Sequence, residues 1–187
     1  MVASLRVLLA LTLLLGLVFP LVMTVVAHLV VPGRADGSFV KDADGNVVGS
    51  SLIGQTFKGT EWFHSRPSAA GDGYDAMSSG ASNLGPESTD LEKLVADRRA
   101  TIAEANGVDP ADVPPDAVTA SGSGLDPDIS PEYAHLQAAR VAAARGLPVE
   151  QVQQLVDEHT DGRLVGFIGA PRVNVLELNL ALSQLGG

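Results

Sequence analysis

The segment Val118–Pro131, VTASGSGLDPDISP, is rich in small, hydroxyl-bearing and acidic residues and is the first candidate for chemistry. A phosphate-binding loop of the P-loop type requires a Lys after its last glycine, because the ammonium group binds the phosphates. No Lys occurs after Lys93. A dinucleotide-binding fingerprint requires a third glycine where Pro127 stands. The segment therefore matches neither type of nucleotide site.

Catalytic and metal-binding patterns are also missing from the sequence. A serine-hydrolase elbow around Ser123 requires a glycine two positions earlier, where Ser121 stands. Asp126 and Asp128 offer oxygen ligands that suit calcium, but their place in a turn favours a bracing role, in which they accept backbone N–H bonds. The four histidines stand singly, without a second His at ligand spacing: His28, His64, His135 and His159. The sequence thus predicts no catalytic residue and no metal site.

Charge is distributed unevenly along the chain. The 187 residues carry a formal net charge of −10, and the first acidic residue is Asp36. Because an acidic surface is repelled by phosphates, nucleic acid is excluded as a partner. The absence of Cys excludes disulfides and thiolate metal sites. Aromatic residues make up only 4% of the chain, so the core must rely on Val, Leu, Ile and Ala.

The acid-free start of the chain contains an apolar run, Val7–Val31, of 25 residues without Asp, Glu, Lys or Arg. As a helix it would measure about 37 Å, longer than the roughly 30 Å hydrocarbon core of a bilayer. A cleaved signal peptide would have a shorter apolar region and a small-x-small cleavage site, and this run has neither. We therefore predict a retained transmembrane helix. Pro20 would kink it, and Gly16 with Pro20 would mark a face that packs on partner helices.

The orientation of this helix is not decided by charge, because Lys and Arg show no clear bias between its two sides. Our interpretation places residues 1–6 in the cytoplasm and a soluble domain, residues 47–187, outside. Residues 32–46 would form a turn-rich connector between the helix and that domain. The chain would then be a single-pass protein of the bacterial plasma membrane, held in contact with lipid.

Helix signals are strong in the soluble part. Thr89 and Glu92 form a capping box, which predicts the start of one helix. The last segment alternates Leu as a strand would, but the capping pair Asn174 and Glu177 favours a helix. The predicted helices begin at Thr89, Pro131 and Pro148 and near Asn174, with Ser130 as an N-cap and with Gly107 and Gly146 as ends.

Strands are predicted at three segments, Asn46–Phe57, residues 61–65 (EWFHS) and residues 163–169 (RLVGFIG), from their apolar and aromatic content. Ser65–Pro86 is dominated by Ser, Gly, Ala and Asn without periodicity, as in loops that are functional or disordered. The order of elements predicts an α/β or α+β domain attached to a single N-terminal transmembrane helix.

Six segments carry a resemblance to a known family. In chain order they read GSSLIGQTF, WFHSRPSA, SGASNLGP, VTASGSGLDPDISP, RVAAARGL and PRVNVLELNLAL, and they follow one apolar span. Together they resemble the C subunit of the bacterial Kdp potassium-transporting ATPase, the KdpC family, over the span and nearly all of the later domain. The sequence departs from the family's usual residues at Asp128, at Glu87 with Ser88, and at Ala170, so no role is assigned to those side chains.

The resemblance implies a subunit without catalysis of its own. Its partners would be a channel-like subunit that binds potassium, a P-type ATPase subunit that is phosphorylated on an Asp, and a very small hydrophobic subunit. ATP and potassium would act at the level of this complex, and no cofactor would be bound by the chain itself. The family is also proposed to act as a catalytic chaperone that raises the affinity of the ATPase subunit for ATP.

The chaperone proposal points to a Leu-x-x-x-Gln element, here Leu147 and Gln151, which is similar to an ABC transporter signature. On physical grounds Pro148 and Glu150 indicate ordinary helix initiation. A helix N-terminus can bind an anion, but the Glu150 carboxylate opposes a triphosphate. A domain outside the membrane would also not meet cytoplasmic ATP, which favours coupling through the partner subunits.

Two loops are the predicted docking surface. We call Ser65–Pro86 loop A and Val118–Pro131 loop B, and we expect them to meet the channel-like subunit near the potassium entrance. The alternative is that the two loops only brace one another inside the domain. The candidate docking residues are Arg66, Pro67, Ser79, Gly80, Ser82, Asn83, Thr119, Ser121, Gly122, Ser123, Gly124, Asp126 and Pro127.

Two further functions compete with that of a pump subunit. One is a membrane-anchored extracytoplasmic binding protein or sensor that acts alone. The other is an anchored hydrolase, which the missing triads and metal spacings disfavour. Co-purification with a large polytopic channel and an ATPase would separate the pump subunit from the stand-alone binding protein.

Overall fold

The computed structural model describes residues 2–185. The chain forms two compact units, one that extends to Ser50 and one that begins at Ser51. The first unit contains the apolar helix and a short hairpin, and the second contains the candidate docking loops.

The first unit begins with a helix of 29 residues, Val2–Val30, that is long and apolar enough to cross a membrane. It consists of α1 (Val2–Leu13), a π-helical turn (Leu14–Val18) and α2 (Phe19–Val30). Pro20 lacks the N–H that would bond the carbonyl of Gly16, and the widened π turn contains that carbonyl. The helix therefore continues through Pro20 with an adjusted turn just before it.

The segment after this helix is more structured than the predicted connector. A short helix, α3 (Pro32–Ala35), precedes strands β1 (Phe39–Lys41) and β2 (Val47–Ser50), which pair antiparallel. Asp42 closes the hairpin, because its carboxylate accepts hydrogen bonds from the backbone of Asp44 and Asn46. The segment predicted as a turn-rich connector, residues 32–46, therefore contains a short helix and a strand as well as turns. The strand predicted over residues 46–57 is limited to β2.

The second unit is mainly helical, and its helices confirm most of the predicted boundaries. Ser130 and Asn174 are N-caps as expected, but the first helix is capped by Ser88, one residue before the predicted capping residue Thr89. Gly107 and Gly146 end their helices in the left-handed conformation. The helices are α4 (Thr89–Asn106), α5 (Pro115–Val118), α6 (Pro131–Arg145), α7 (Val149–Glu158) and α8 (Val175–Gln184), with a 3₁₀ turn at Pro110–Asp112.

A small antiparallel sheet completes this unit. β5 (Arg172–Asn174) lies between β3 (Asp128–Ile129) and β4 (Thr160–Asp161). Because both of these pairings are antiparallel, the mixed helix-and-sheet unit is of the α+β type. The core is aliphatic, as its composition predicts, and its largest fully buried apolar side chains are Phe63, Val118, Val141, Val152, Val156, Val173, Val175, Leu178 and Leu182.

Two predicted strands are wrong. Residues 61 and 62 lie in a turn, and residues 63–65 pair with no strand in the described chain; side chains of two helices bond the backbone of Phe63 and His64 instead. Residues 163–169 form a tight turn in which only Leu164 and Ile168 pair. Val165 and Gly166 have φ angles of 51° and 85°, and this left-handed pair reverses the chain where a strand would have continued.

Candidate functional site

The extended segment before loop A is fixed by two buried amide side chains. Asn179 accepts a hydrogen bond from the Phe63 N–H and donates one to the Phe63 carbonyl, both at 2.9 Å. Gln137 accepts from the His64 N–H at 2.7 Å and donates to the His64 carbonyl at 3.1 Å. Both amides are almost fully buried. Each therefore supplies the donor and acceptor that a neighbouring strand would otherwise provide.

Two arginines of α6 bind the carbonyls just before this point. Arg140 donates to the carbonyls of Thr60, at 2.6 Å, and Trp62, at 3.0 Å. Arg145 donates to the carbonyl of Glu61 at 2.8 Å, and its guanidinium lies 4.3 Å from the centre of the Trp62 ring. Burial lowers the pKa of Arg140. Loop A therefore starts from a backbone that helices hold in place.

His64 stands at the entrance to loop A. Its Nε2 lies 2.8 Å from the carbonyl of Gly59, and its ring is partly buried. Burial lowers the pKa of His64, and the neighbouring positive charge of Arg140 lowers it further. The geometry fits a neutral imidazole that donates one hydrogen bond to the backbone, which is a structural role.

Loops A and B are joined by direct hydrogen bonds. The carbonyl of Ser123 in loop B accepts from the Gly80 N–H and from the Ser79 hydroxyl, both at 2.9 Å. The Ser68 hydroxyl donates to the carbonyl of Gly124 at 2.6 Å. The bracing that the sequence left open as an alternative is therefore present. Bracing and docking are compatible, because the braced loops still have an outer surface.

Gly124 lies at the closest approach of the two loops. Its φ is +68°, and a Cβ at this position would lie 2.6 Å from the Gly80 carbonyl oxygen and 2.7 Å from the Ala70 nitrogen. Any side chain would therefore push the loops apart. Gly122 is different, because a Cβ there would meet no atom within 4 Å. Gly124 is thus required inside the contact between the loops, whereas Gly122 lies at the surface.

Arg66 connects the loops by charge. Its Nη1 donates to Asp126 Oδ2 at 2.8 Å, and its Nε and Nη2 both donate to the Thr119 carbonyl at 3.2 Å. The Arg66 carbonyl accepts from the Tyr74 hydroxyl at 2.7 Å. Burial raises the pKa of Tyr74 to about 12, so this phenol remains a hydrogen-bond donor at neutral pH.

The outer surface of the loops consists of small and polar side chains. Gly124 is buried, whereas the other candidate docking residues retain solvent contact. The exposed members are Ser79, Ser82, Asn83, Gly122 and Ser123, and the partly buried members are Arg66, Pro67, Gly80, Thr119, Ser121, Asp126 and Pro127. Hydroxyls inside loop B also cap its own amides, since Ser121 Oγ accepts from the Gly124 N–H at 3.0 Å. Hydrogen bonds thus bring Arg66, Ser79 and Gly80 of loop A next to Thr119, Ser123 and Asp126 of loop B.

A cleft of about 520 Å³ lies beside loop B. One wall contains Asp126 and Asp128, and another contains Ala170 to Arg172. Arg172 Nε lies 3.1 Å from an oxygen of Asp128, and burial raises the pKa of that Asp. Asp116, also in the cleft, accepts hydrogen bonds from the Ser130 backbone and hydroxyl at 2.7 and 2.8 Å. These carboxylates are thus already bound by protein groups.

The remaining candidate residues do not converge on a site. Leu147 packs against the core, while Gln151 is exposed on α7 and its N–H donates to the Pro148 carbonyl at 3.2 Å. A Cβ built on Gly16 would meet no atom within 4 Å. Over residues 2–185 there is no cluster of three or more His, Cys, Asp or Glu side chains that could hold a metal ion.

The residues that position loop A were not predicted from the sequence. Asn179 has Val175, Leu176 and Leu182 three or four positions away, on the same helix face. Gln137 has Tyr133, Ala134 and Val141 at the same spacing. A polar residue at a core position must find hydrogen-bond partners when buried. That signal was available in the sequence, although it does not identify the partner.

Over the described residues, the fold and the site define a class of protein: one apolar helix long enough to cross a membrane, followed by an α+β domain that carries a pair of braced loops. A family model, "K+-transporting ATPase, c chain" (KdpC), matches residues 1–184. The chain therefore belongs to the KdpC family of potassium-transporting ATPase subunits.

Relatives from several bacteria support this assignment. A "Potassium-transporting ATPase KdpC subunit" of Kineococcus radiotolerans is 66% identical over 90% of this chain and 85% of its own length. The protein of the same name in Beijerinckia indica is 57% identical, over 91% of this chain and 86% of its own length. That of Streptomyces coelicolor is 53% identical, over 98% and 91% respectively.

Proposed function

We propose that the chain is a non-catalytic subunit of an ATP-driven potassium uptake complex, in which the surface formed by loops A and B docks on a channel-like, potassium-binding subunit. The observation that carries this proposal is the braced surface itself. Its backbone is fixed from within by bonds such as Gly80 to Ser123, while Gly122, Ser82 and Asn83 remain exposed. A surface that is ordered before binding loses less conformational entropy on association.

The apolar helix holds this surface at the membrane. Residues 7–31 span the bilayer, residues 1–6 lie in the cytoplasm, and the domain of residues 47–187 lies outside, joined by residues 32–46. Gly16 and Pro20 face a neighbouring helix of the complex, where the absence of a side chain at Gly16 permits close packing. The small hydrophobic subunit and the ATPase subunit complete the assembly.

Coupling to ATP is indirect in this proposal. Leu147 packs against the core, and Gln151 faces solvent beside Glu150, so the element offers no converging donors for a triphosphate. The chain raises the affinity of the ATPase subunit for ATP by binding one conformation of its partners more tightly than the other. A domain outside the membrane acts in this way without meeting the nucleotide.

The test is co-isolation of the tagged full-length chain from detergent-solubilised membranes. The unmodified chain should retain a polytopic channel and an ATPase. Gly122→Trp should reduce that retention by about tenfold, which corresponds to 1.4 kcal/mol of binding. The variant should fold normally, because Gly122 is exposed and a Cβ at this position would meet no atom within 4 Å.

The matched control is Gln153→Trp, which places the same side chain at an exposed position of α7. It should leave retention unchanged. If Gly122→Trp retains both partners as well as the control does, the loops do not dock. If even the unmodified chain is isolated alone, it acts as a stand-alone binding protein or sensor.

A further inference from the structure

A second surface of the domain exposes apolar side chains. Within the turn Leu164–Ile168, here called the apolar turn, four of the five residues are large and apolar. Leu164, Val165 and Phe167 are 70%, 74% and 73% exposed, and Ile168 is 50% exposed. Contiguous exposed apolar side chains of this kind mark an interaction site.

The apolar turn is shaped before any partner binds. Leu164 and Ile168 exchange two backbone hydrogen bonds, at 2.9 and 3.0 Å, and the Gly166 N–H donates to the Arg163 carbonyl at 3.0 Å. Val165 has a φ of +51°, a costly conformation for a β-branched residue. The backbone thus holds an unfavourable conformation that directs apolar side chains into solvent.

The surroundings of the turn favour a protein partner over a membrane surface. Arg163 is the only charged residue between residues 162 and 171, but the chain as a whole has a net charge of −10. Anionic headgroups would repel such a domain. A depression on another protein can accept the apolar side chains and offer a carboxylate or carbonyl to Arg163.

The apolar turn also adjoins the cleft beside loop B. The turn ends at Ile168, and Ala170, Pro171 and Arg172 then form one wall of the cleft of about 520 Å³. Asp126 of loop B lines the same cleft. The loop surface, the cleft and the segment that follows the turn are therefore continuous, so one partner can cover all three.

From these observations we propose that the apolar turn inserts into an apolar depression on the same channel-like subunit that meets loops A and B, as a second anchoring point beside the loop surface. This inference rests on the proposed function, because it requires the chain to be part of that complex. The four exposed side chains make the turn the most concentrated apolar contact that the domain offers, and a central apolar cluster surrounded by polar groups is typical of strong interfaces.

Photocrosslinking in the assembled complex tests this proposal. Phe167→p-benzoylphenylalanine preserves an aromatic side chain and should form, on irradiation in native membranes, a covalent product that contains the channel-like subunit. The same residue in place of exposed Gln153 on α7 provides the control and should give at least about tenfold less product. A lipid adduct, a crosslink to a different subunit or to a second copy of the chain, or a yield equal to the control would overturn the proposal.

A second measurement does not depend on the photoreactive residue. The double variant Phe167→Ser with Ile168→Ser removes two apolar side chains that are 73% and 50% exposed, so the fold should persist. Binding to the other subunits should weaken by about tenfold or more, and unchanged binding would contradict the inference. If the unmodified chain is not retained at all, the proposed function itself has failed, which distinguishes the two failures.

Discussion

The loop A–loop B surface and the apolar turn both lack regular secondary structure, but they are built in opposite ways. The loops form hydrogen bonds with each other across long sequence separations, as between Ser79 and Ser123. Polar groups and the buried Gly124 lie where the two loops meet. The turn closes on itself within five residues and faces outwards with apolar side chains. Both regions lack helix and strand, so the hydrogen-bond partners of the backbone are what distinguish a braced loop surface from an isolated apolar turn.

The largest expected effect lies at the buried support of loop A. Asn179→Leu would leave the N–H and carbonyl of Phe63 buried without partners, at a cost of about 2–5 kcal/mol of unfolding free energy. Urea unfolding of the detergent-solubilised full chain measures this cost, and the exposed substitution Gln153→Ala provides the control. A loss below about 0.5 kcal/mol would show that the amide does not hold the segment.

The two glycines of loop B should differ clearly in their effect on stability, because Gly124 lies between the loops and Gly122 lies at the surface. Gly124→Ala should cost about 2–3 kcal/mol, because it combines a left-handed backbone with a clash against Gly80 and Ala70. Gly122→Ala should change the unfolding free energy by less than about 0.5 kcal/mol. Equal effects at the two positions would contradict the internal role assigned to Gly124.

Hydrogen exchange on the same Gly124→Ala variant extends the comparison to the apolar turn. The Gly80 N–H, which bonds Ser123, should exchange faster once the loops separate. The amides of Leu164 and Ile168 should keep their exchange rates, since they bond only each other. Faster exchange at both places would show that the two regions are not independent.

A smaller effect is expected at the arginine that links the loops. Arg66→Lys keeps the positive charge but loses the planar set of donors to Asp126 and Thr119, and should cost about 1 kcal/mol. Arg163→Lys, beside the apolar turn, should leave stability unchanged, because the Arg163 side chain is exposed. Thermal unfolding of both variants in the same detergent makes the comparison. A similar loss from both would contradict the role of Arg66.

The smallest expected effect is a dependence on pH. Because the pKa of His64 is lowered in the folded state, protonation favours the unfolded state, which binds more protons at mildly acidic pH. The contribution of His64 is therefore present above its unfolded pKa of about 6.5 and is lost as the pH falls through that value towards the folded pKa. In His64→Gln this part of the pH dependence should disappear between about pH 7 and pH 5, as measured by urea unfolding. An unchanged pH profile would contradict the prediction.

Elements with local signals could be predicted from the sequence. The caps Ser130 and Asn174 and the ends Gly107 and Gly146 lie where the sequence indicates, since capping depends on residues three or four positions apart. The grouping of loops A and B was also expected, although which glycine lies inside and which lies at the surface depends on coordinates.

Elements that depend on distant partners could not be predicted. The extended segment at Phe63 resembles a strand in sequence, but its partner Asn179 is 116 residues away on a helix. The apolar turn resembles a buried strand because apolar content alone does not reveal exposure. In both cases the sequence indicated strand-like composition, but the groups that bond or surround the segment depend on the tertiary structure.

The most direct test of the central claim is potassium-stimulated ATP hydrolysis by the other subunits of the ATPase, purified with and without this chain. We expect little stimulated hydrolysis without the chain, restoration on adding the unmodified chain, restoration by Gly122→Trp only at about tenfold higher concentration, and no hydrolysis by the chain alone. Full stimulated hydrolysis without the chain, or turnover of ATP by the chain alone, would contradict this claim.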